Sequence, residues 1–330
     1  MSGAPLLQLE DLSVTFMTAR GAVRAVDSVS LSVGAGEIVG LVGESGSGKS
    51  VTLRAVTRLL GSNARISGRA LWRGGDLLAM KEKSLRGLRG REIAMIFQEP
   101  MTALNPVLTI GRQIDESLAA HSAMDGARRR ARARELLDLV GIASGAQRLG
   151  DYPHQFSGGM RQRAMIAIAL AAEPKLLLAD EPTTALDVTI QDQILRLLSG
   201  LTRDLGMAMV LVTHDLGVVA QTCERVCVMY AGRVVEAAPA AELFARPRHA
   251  YTHALLRSMP DGGPARQPLT PIPGQPPRAG EAGAGCAFTP RCAFADARCA
   301  AQTPPMLDYA PGHSAACWQA QSVAAAGPAP

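Results

Sequence analysis

Gly43-Glu44-Ser45-Gly46-Ser47-Gly48-Lys49-Ser50 follows directly on the apolar stretch Glu37–Val42. Its glycines let successive backbone N–H groups curl around phosphate oxygens, and the start of a following helix reinforces the attraction. In such a loop Lys49 reaches the β- and γ-phosphates and the Ser50 hydroxyl binds Mg²⁺. Gly43, Ser45, Gly46, Gly48 and Val51 complete the expected nucleotide cradle. A strand, a glycine-rich loop and a helix in this order predict an α/β domain.

Working outward, Leu176-Leu177-Leu178-Ala179-Asp180-Glu181-Pro182 is an apolar run ending in two acids. It predicts a buried strand that delivers carboxylates to the end of the sheet. Asp180 is expected in the Mg²⁺ shell, and Glu181 is the candidate to polarise an attacking water. Further strands are expected at Glu37–Val42, Ile93–Phe97, Met207–Val212 and Val226–Met229, whose nearly continuous apolar character suits burial on both faces. They alternate with helical segments from Leu6 to about Val235, the pattern of a mostly parallel sheet flanked by helices. Between about 100 and 162 the chain turns rich in Ala, Arg and Leu at helical spacing, which predicts an inserted α-helical subdomain.

The 330 residues are 47% hydrophobic with a net charge of +5. No apolar run approaches the roughly 18–20 residues that cross a bilayer. The first residues lack the basic and apolar parts of a signal peptide, so a cytoplasmic, peripheral protein is expected. Arg128, Arg129, Arg130, Arg132 and Arg134 lead into Leu136, Leu137, Leu139 and Val140, which reads as the solvated start of a helix. Without interleaved aromatics this run does not suit single-stranded nucleic acid, and no nucleic-acid partner is expected.

Phe156-Ser157-Gly158-Gly159-Met160-Arg161-Gln162-Arg163 resembles the signature sequence of ABC ATPases, with Phe156 in place of the usual Leu and Met160 in place of the usual Gln. It supplies a second anion-binding helix start, which suggests that it serves a partner's nucleotide. The resemblance implies a head-to-tail dimer in which Ser157, Gly158, Gly159 and Asp187 contact the partner subunit's ATP. It also implies Gln98 as the Q-loop residue and a Mg²⁺ ligand, Thr184-Ala185-Leu186-Asp187 as the D-loop, and His214 as the switch histidine. Phe16 aligns with the aromatic that stacks on adenine, and its alternative is a core residue in an edge strand.

Beyond the nucleotide motifs, Phe97–Pro106, Tyr230–Glu236 and Arg248–His253 resemble segments of oligopeptide/dipeptide permease ATPases. That resemblance implies an ATP-hydrolysing importer subunit, two transmembrane permease subunits, a second ATPase (a sister chain or this chain itself) and, indirectly, an extracytoplasmic solute-binding protein. It places the chain at the cytoplasmic face of the membrane. Nickel and glutathione importers, and a non-transport ABC ATPase, are the alternatives. On this reading residues 1–257 form the ATPase domain, and 258–330 form a Pro-rich linker with a small Cys-containing extension ending in a disordered 324–330. Cys286, Cys292, Cys299 and Cys317 are spaced C-x5-C-x6-C-x17-C. Spacing alone leaves metal site and unliganded thiols open, whereas the family's tail implies a [4Fe–4S] cluster, with Zn²⁺ as alternative. His249 and His253 have metal-ligand spacing but no third ligand nearby in sequence. Cys223 and Cys227 read as core residues.

Overall fold

The computed structural model describes residues 4–99, 103–184, 186–258, 271–281 and 283–327. The expected Q-loop segment at 100–102, Ala185 of the D-loop and the linker at 259–270 lie outside the described residues. In chain order the strands are β1 (Leu7–Thr18), β2 (Gly21–Val33), β3 (Ile38–Val42), β4 (Ala64–Trp72), β5 (Gly75–Asp76), β6 (Ile93–Ile96), β7 (Leu176–Asp180), β8 (Ala208–Thr213), β9 (Arg225–Tyr230), β10 (Arg233–Pro239), β11 (Leu307–Ala310) and β12 (His313–Ala315). The chain separates into two compact units. One takes residues 79–212 with 33–37, and the other takes 4–32, 38–78 and 213–330.

In the first unit β8, β7 and β6 are parallel neighbours, with Leu178 of β7 opposite Met95 of β6 and Val210 of β8. Every residue of β7 and β8 is buried. Such double-sided burial is why these strands read as unbroken apolar runs. The expected helical insertion is present as the helices Ile110–His121, Gly126–Leu139 and Gly158–Leu170, the last continuing past 162. Ile110, Ile114 and Leu118 bury one stripe of the first of these at helical spacing. The arginines of the second are largely ion-paired: Arg129 with Asp115 at 2.6 Å, and Arg132 with Glu135 at 2.9 Å and Glu173 at 3.0 Å.

The second unit holds two sheets. The run β11-β12-β10-β9-β3 mixes a parallel β3/β9 pair with antiparallel pairs on the far side. A separate four-stranded sheet, β2-β1-β4-β5, was not legible as such in the sequence. Its β1 alternates buried and half-buried positions, the mark of a sheet with one wet face. Phe16 pairs with Ala64 in that sheet and is half-buried, and β1 is an interior strand, not the edge strand of the alternative reading.

The cysteine-bearing tail is also built into this unit. Glu236 and Ala237 of β10 pair with Ala315 and Ser314 of β12. Phe288, 1% exposed, packs edge-on against Tyr230 at 5.3 Å and Tyr251 at 5.4 Å. The tail therefore shares the unit's apolar core. The expected disordered end is corrected in part, because Ala320–Ala325 is helical and buries Val323.

Candidate functional site

In the second unit the phosphate loop springs from β3, whose five residues are all buried. Gly43 has φ +149° and Gly48 φ +103°, and a Cβ at either would lie 2.1 Å from the Met229 carbonyl oxygen or 2.7 Å from that of Ala25. Only glycine permits this turn at these contacts. Lys49 opens the helix Lys49–Val56 and is 4% exposed. Its Nζ donates to the carbonyls of Gly43 at 2.7 Å and Glu44 at 2.9 Å, so the ammonium lies within the curl of the loop. Ser45 and Gly46 are exposed at the tip, and Ser50 and Val51 are half-buried in the first turn of the helix. His214 is exposed just beyond β8, and Asp215 caps the next helix by accepting from Gly217 N at 2.8 Å.

In the first unit β7 carries Asp180, fully buried at its last position. A buried carboxylate is costly unless hydrogen bonds or a cation compensate it, and the carboxylate oxygens of Asp180 are donors that suit Mg²⁺. Glu181 follows with φ +45°, an uncommon conformation for a residue with a side chain. Its N–H bonds to the Val212 carbonyl at 3.1 Å. Its carboxylate accepts from Gln98 Nε2 at 3.0 Å and Thr184 Oγ1 at 2.9 Å. Gln98 and Glu181, two of the expected catalytic residues, are thereby brought together. Thr184 was expected only as part of the D-loop. Its hydroxyl three residues after Glu181 is the signal that could have marked it.

Ser157 caps the helix Gly158–Leu170, its Oγ accepting from Met160 N at 3.3 Å. Ser157 and Gly158 are exposed, so this helix start is open to an anion, whereas Phe156 is buried. The Phe-for-Leu departure thus falls on a core position. Asp187 caps the helix Val188–Asp204 by accepting from Ile190 N at 3.0 Å.

The four tail cysteines converge. Cys286, Cys292, Cys299 and Cys317 line one apolar cavity together with His249, which sequence spacing had left without further ligands. The cavity is about 10 Å³, room for about one water molecule. Burial pushes the Cys292 thiol up to about 11, raises those of Cys299 and Cys317, and lowers the His249 imidazole to about 4. Among the described residues, no group of three or more His, Cys, Asp or Glu side chains is arranged to hold a metal ion. The donors suit a soft metal, but their packing leaves no space for a four-iron cluster. Cys223 and Cys227 are buried core residues, as expected.

Among the described residues no helix is long and apolar enough to cross a membrane. Residues 26–184 match the family described as ABC transporter, and residues 235–299 match the oligopeptide/dipeptide transporter C-terminal region. A probable peptide ABC transporter ATP-binding protein of Sinorhizobium fredii is 50% identical over 321 residues, 96% of either chain. A putative peptide import ATP-binding protein of Brucella abortus is 49% identical over 338 residues, covering 98% of this chain and 100% of its own. A solved dimeric ATP-binding cassette in a post-hydrolysis state, bound to ADP and phosphate, aligns with TM-score 0.64 and 31% identity over 71% of this chain and 98% of its own. The cbiO1 protein of Clostridium perfringens, part of an ABC transporter complex, aligns with TM-score 0.61 and 27% identity over 73% of this chain and 91% of its own.

Proposed function

Because this chain belongs to the ATP-binding proteins of ABC transporters, we propose that it hydrolyses ATP to drive import of di- and oligopeptides at the cytoplasmic face of a membrane. The observation that carries the reading is Glu181, which follows a fully buried strand and is gripped by Gln98 and Thr184. A carboxylate so oriented can align a water for in-line attack on a γ-phosphate.

The remaining roles follow from the chemistry of each group. The loop amides from Gly43 to Ser50 bind the phosphates, and Lys49 neutralises their charge. Ser50, Asp180 and Gln98 are the candidate ligands of Mg²⁺, which when bound offsets charge on the phosphate oxygens. Phe16, half-buried in β1, is the candidate for stacking on adenine. Ser157, Gly158, Gly159 and Asp187 would face the nucleotide of a second ATPase, and His214 would contact the γ-phosphate.

Two permease subunits are the expected membrane partners. Val107, just past the segment 97–106, is 76% exposed, an apolar side chain suited to such a contact. Reconstitution with two permease subunits and a peptide-binding protein tests the reading. Peptide-stimulated ATP hydrolysis with peptide uptake is expected. Stimulation by nickel or glutathione alone would reassign the cargo, and no ATPase activity would end the proposal.

The tail cysteines carry a finer reading, an iron–sulfur cluster or a zinc ion. Four thiols on one cavity support it. Its size opposes it, since a cluster requires the cysteines to move apart, and no step of hydrolysis runs through it. Iron, sulfide and zinc measured on anaerobically purified protein decide the matter. Stoichiometric iron with sulfide would support the cluster, stoichiometric zinc without sulfide the zinc ion, and the absence of any metal would reject the reading.

A further inference from the structure

Glu44, the second residue of the phosphate loop, is gripped at three points. Its N–H donates to Tyr251 Oη at 2.8 Å, and its carbonyl accepts from Lys49 Nζ at 2.9 Å. Its carboxylate receives a two-pronged bond from Arg291, with Nη1 on Oε2 at 2.6 Å and Nη2 on Oε1 at 2.8 Å. Arg291 lies in the tail between Cys286 and Cys292, yet its side chain is 4% exposed.

The guanidinium is itself fixed in place. Its Nε donates to the Pro273 carbonyl at 2.9 Å and its Nη1 to Tyr230 Oη at 3.3 Å. It also lies 5.9 Å from the centre of the Tyr230 ring and 5.8 Å from that of Phe288, within cation–π range. A planar fork held by these contacts meets a carboxylate in a rigid geometry, which a lysine could not reproduce. The Glu44 carboxylate raises the affinity of the guanidinium for its proton still further, so Arg291 stays charged throughout any accessible pH.

We propose that Arg291 is a positioning residue for ATP binding, by which the tail holds the phosphate loop in shape and cancels the negative charge of Glu44. The inference rests on the ATPase reading above. Its electrostatic content is direct. Glu44 belongs to a loop that must receive a polyanion, and an unpaired carboxylate there repels the incoming phosphates. The same contact also anchors the residue whose carbonyl shares the Lys49 ammonium, so a loosened Glu44 misplaces both. The Cys-bearing tail, an appendage by sequence position, thus supports the phosphate loop.

The test uses the full chain. With Arg291→Met, the KM for ATP and the dissociation constant of a fluorescent ATP analogue should rise roughly tenfold, the change that a lost charge-assisted contact gives, with kcat within about twofold. Arg291→Lys should fall between wild type and Arg291→Met. Adding Glu44→Gln to Arg291→Met should recover part of the lost affinity, because it removes the unpaired charge while the anchor of the loop stays lost. A merely structural role predicts the opposite, with the double variant as impaired as the single or worse. Wild-type affinity in Arg291→Met, or no recovery in the double variant, overturns the proposal. Should Arg291→Met fail to fold, Arg291→Lys and the double variant decide by the same KM readout. Loss of the ATPase reading itself would show in the wild type, as an absence of ATP turnover, and so is separable from any difference among variants.

Discussion

Gln98 Nε2 donates to Glu181 Oε2 at 3.0 Å, joining residues 83 positions apart. One bond thus ties the end of the coil after β6 to the residue that follows β7. The second donor to the same oxygen, Thr184 Oγ1, comes from three residues downstream. Both donors therefore converge on the same carboxylate oxygen and fix the orientation of the group.

Replacing Glu181 by Gln keeps the size and both neighbours but removes the base. Turnover should fall at least about a hundredfold, the low end of what a positioned general base contributes. ATP binding should survive, and an ATP-dependent dimer should accumulate on size-exclusion chromatography. Wild-type turnover would show Glu181 to be misassigned.

Thr184→Val keeps the shape and deletes the hydroxyl. With Glu181 less firmly oriented, kcat should drop about tenfold at nearly unchanged KM for ATP. A rise in KM with kcat intact would instead place Thr184 in nucleotide binding.

Ser157 is exposed at a helix start and its Oγ already accepts from Met160 N. If it serves a partner's nucleotide, mixing Ser157→Arg chains with Lys49→Ala chains should restore activity. The mixed dimer has one doubly damaged site and one intact site. Measured ATPase of the mixture should exceed that of either variant alone. No gain on mixing, in chains shown to dimerise, counts against the head-to-tail arrangement.

Glu236 of β10 is fully buried and accepts from Arg248 N at 2.7 Å, His249 N at 2.9 Å and His313 Nε2 at 2.8 Å. Its replacement by Ala orphans several buried polar groups at once, and the cost should be about 3–5 kcal/mol. Limited proteolysis should then cut the tail near His313 first, while thermal unfolding shifts downward by several degrees. Unchanged protease resistance would mean the tail is held by its apolar contacts alone.

The nucleotide motifs were legible in the chain because their chemistry is local. A phosphate cradle uses consecutive backbone N–H groups, so Gly43 to Ser50 must be contiguous. A carboxylate can be delivered by an apolar strand only where that strand ends, so Asp180 and Glu181 announce themselves. The helical insertion was equally readable, since Ile110, Ile114 and Leu118 recur at the period of one buried stripe. Less legible was the β2-β1-β4-β5 sheet. Its strands alternate buried and wetter positions, a weaker signal than unbroken apolar runs.

By itself the sequence determined which residues can touch phosphate, metal and water, because those roles depend on residue type and short spacing. Only the tertiary structure decided what supports them. Arg291 and Glu44 stand 247 positions apart and His313 and Glu236 stand 77 apart. No periodicity connects such pairs. A buried charge is tolerated only where folding brings its partner within hydrogen-bond reach, and that is settled by the packing of distant segments.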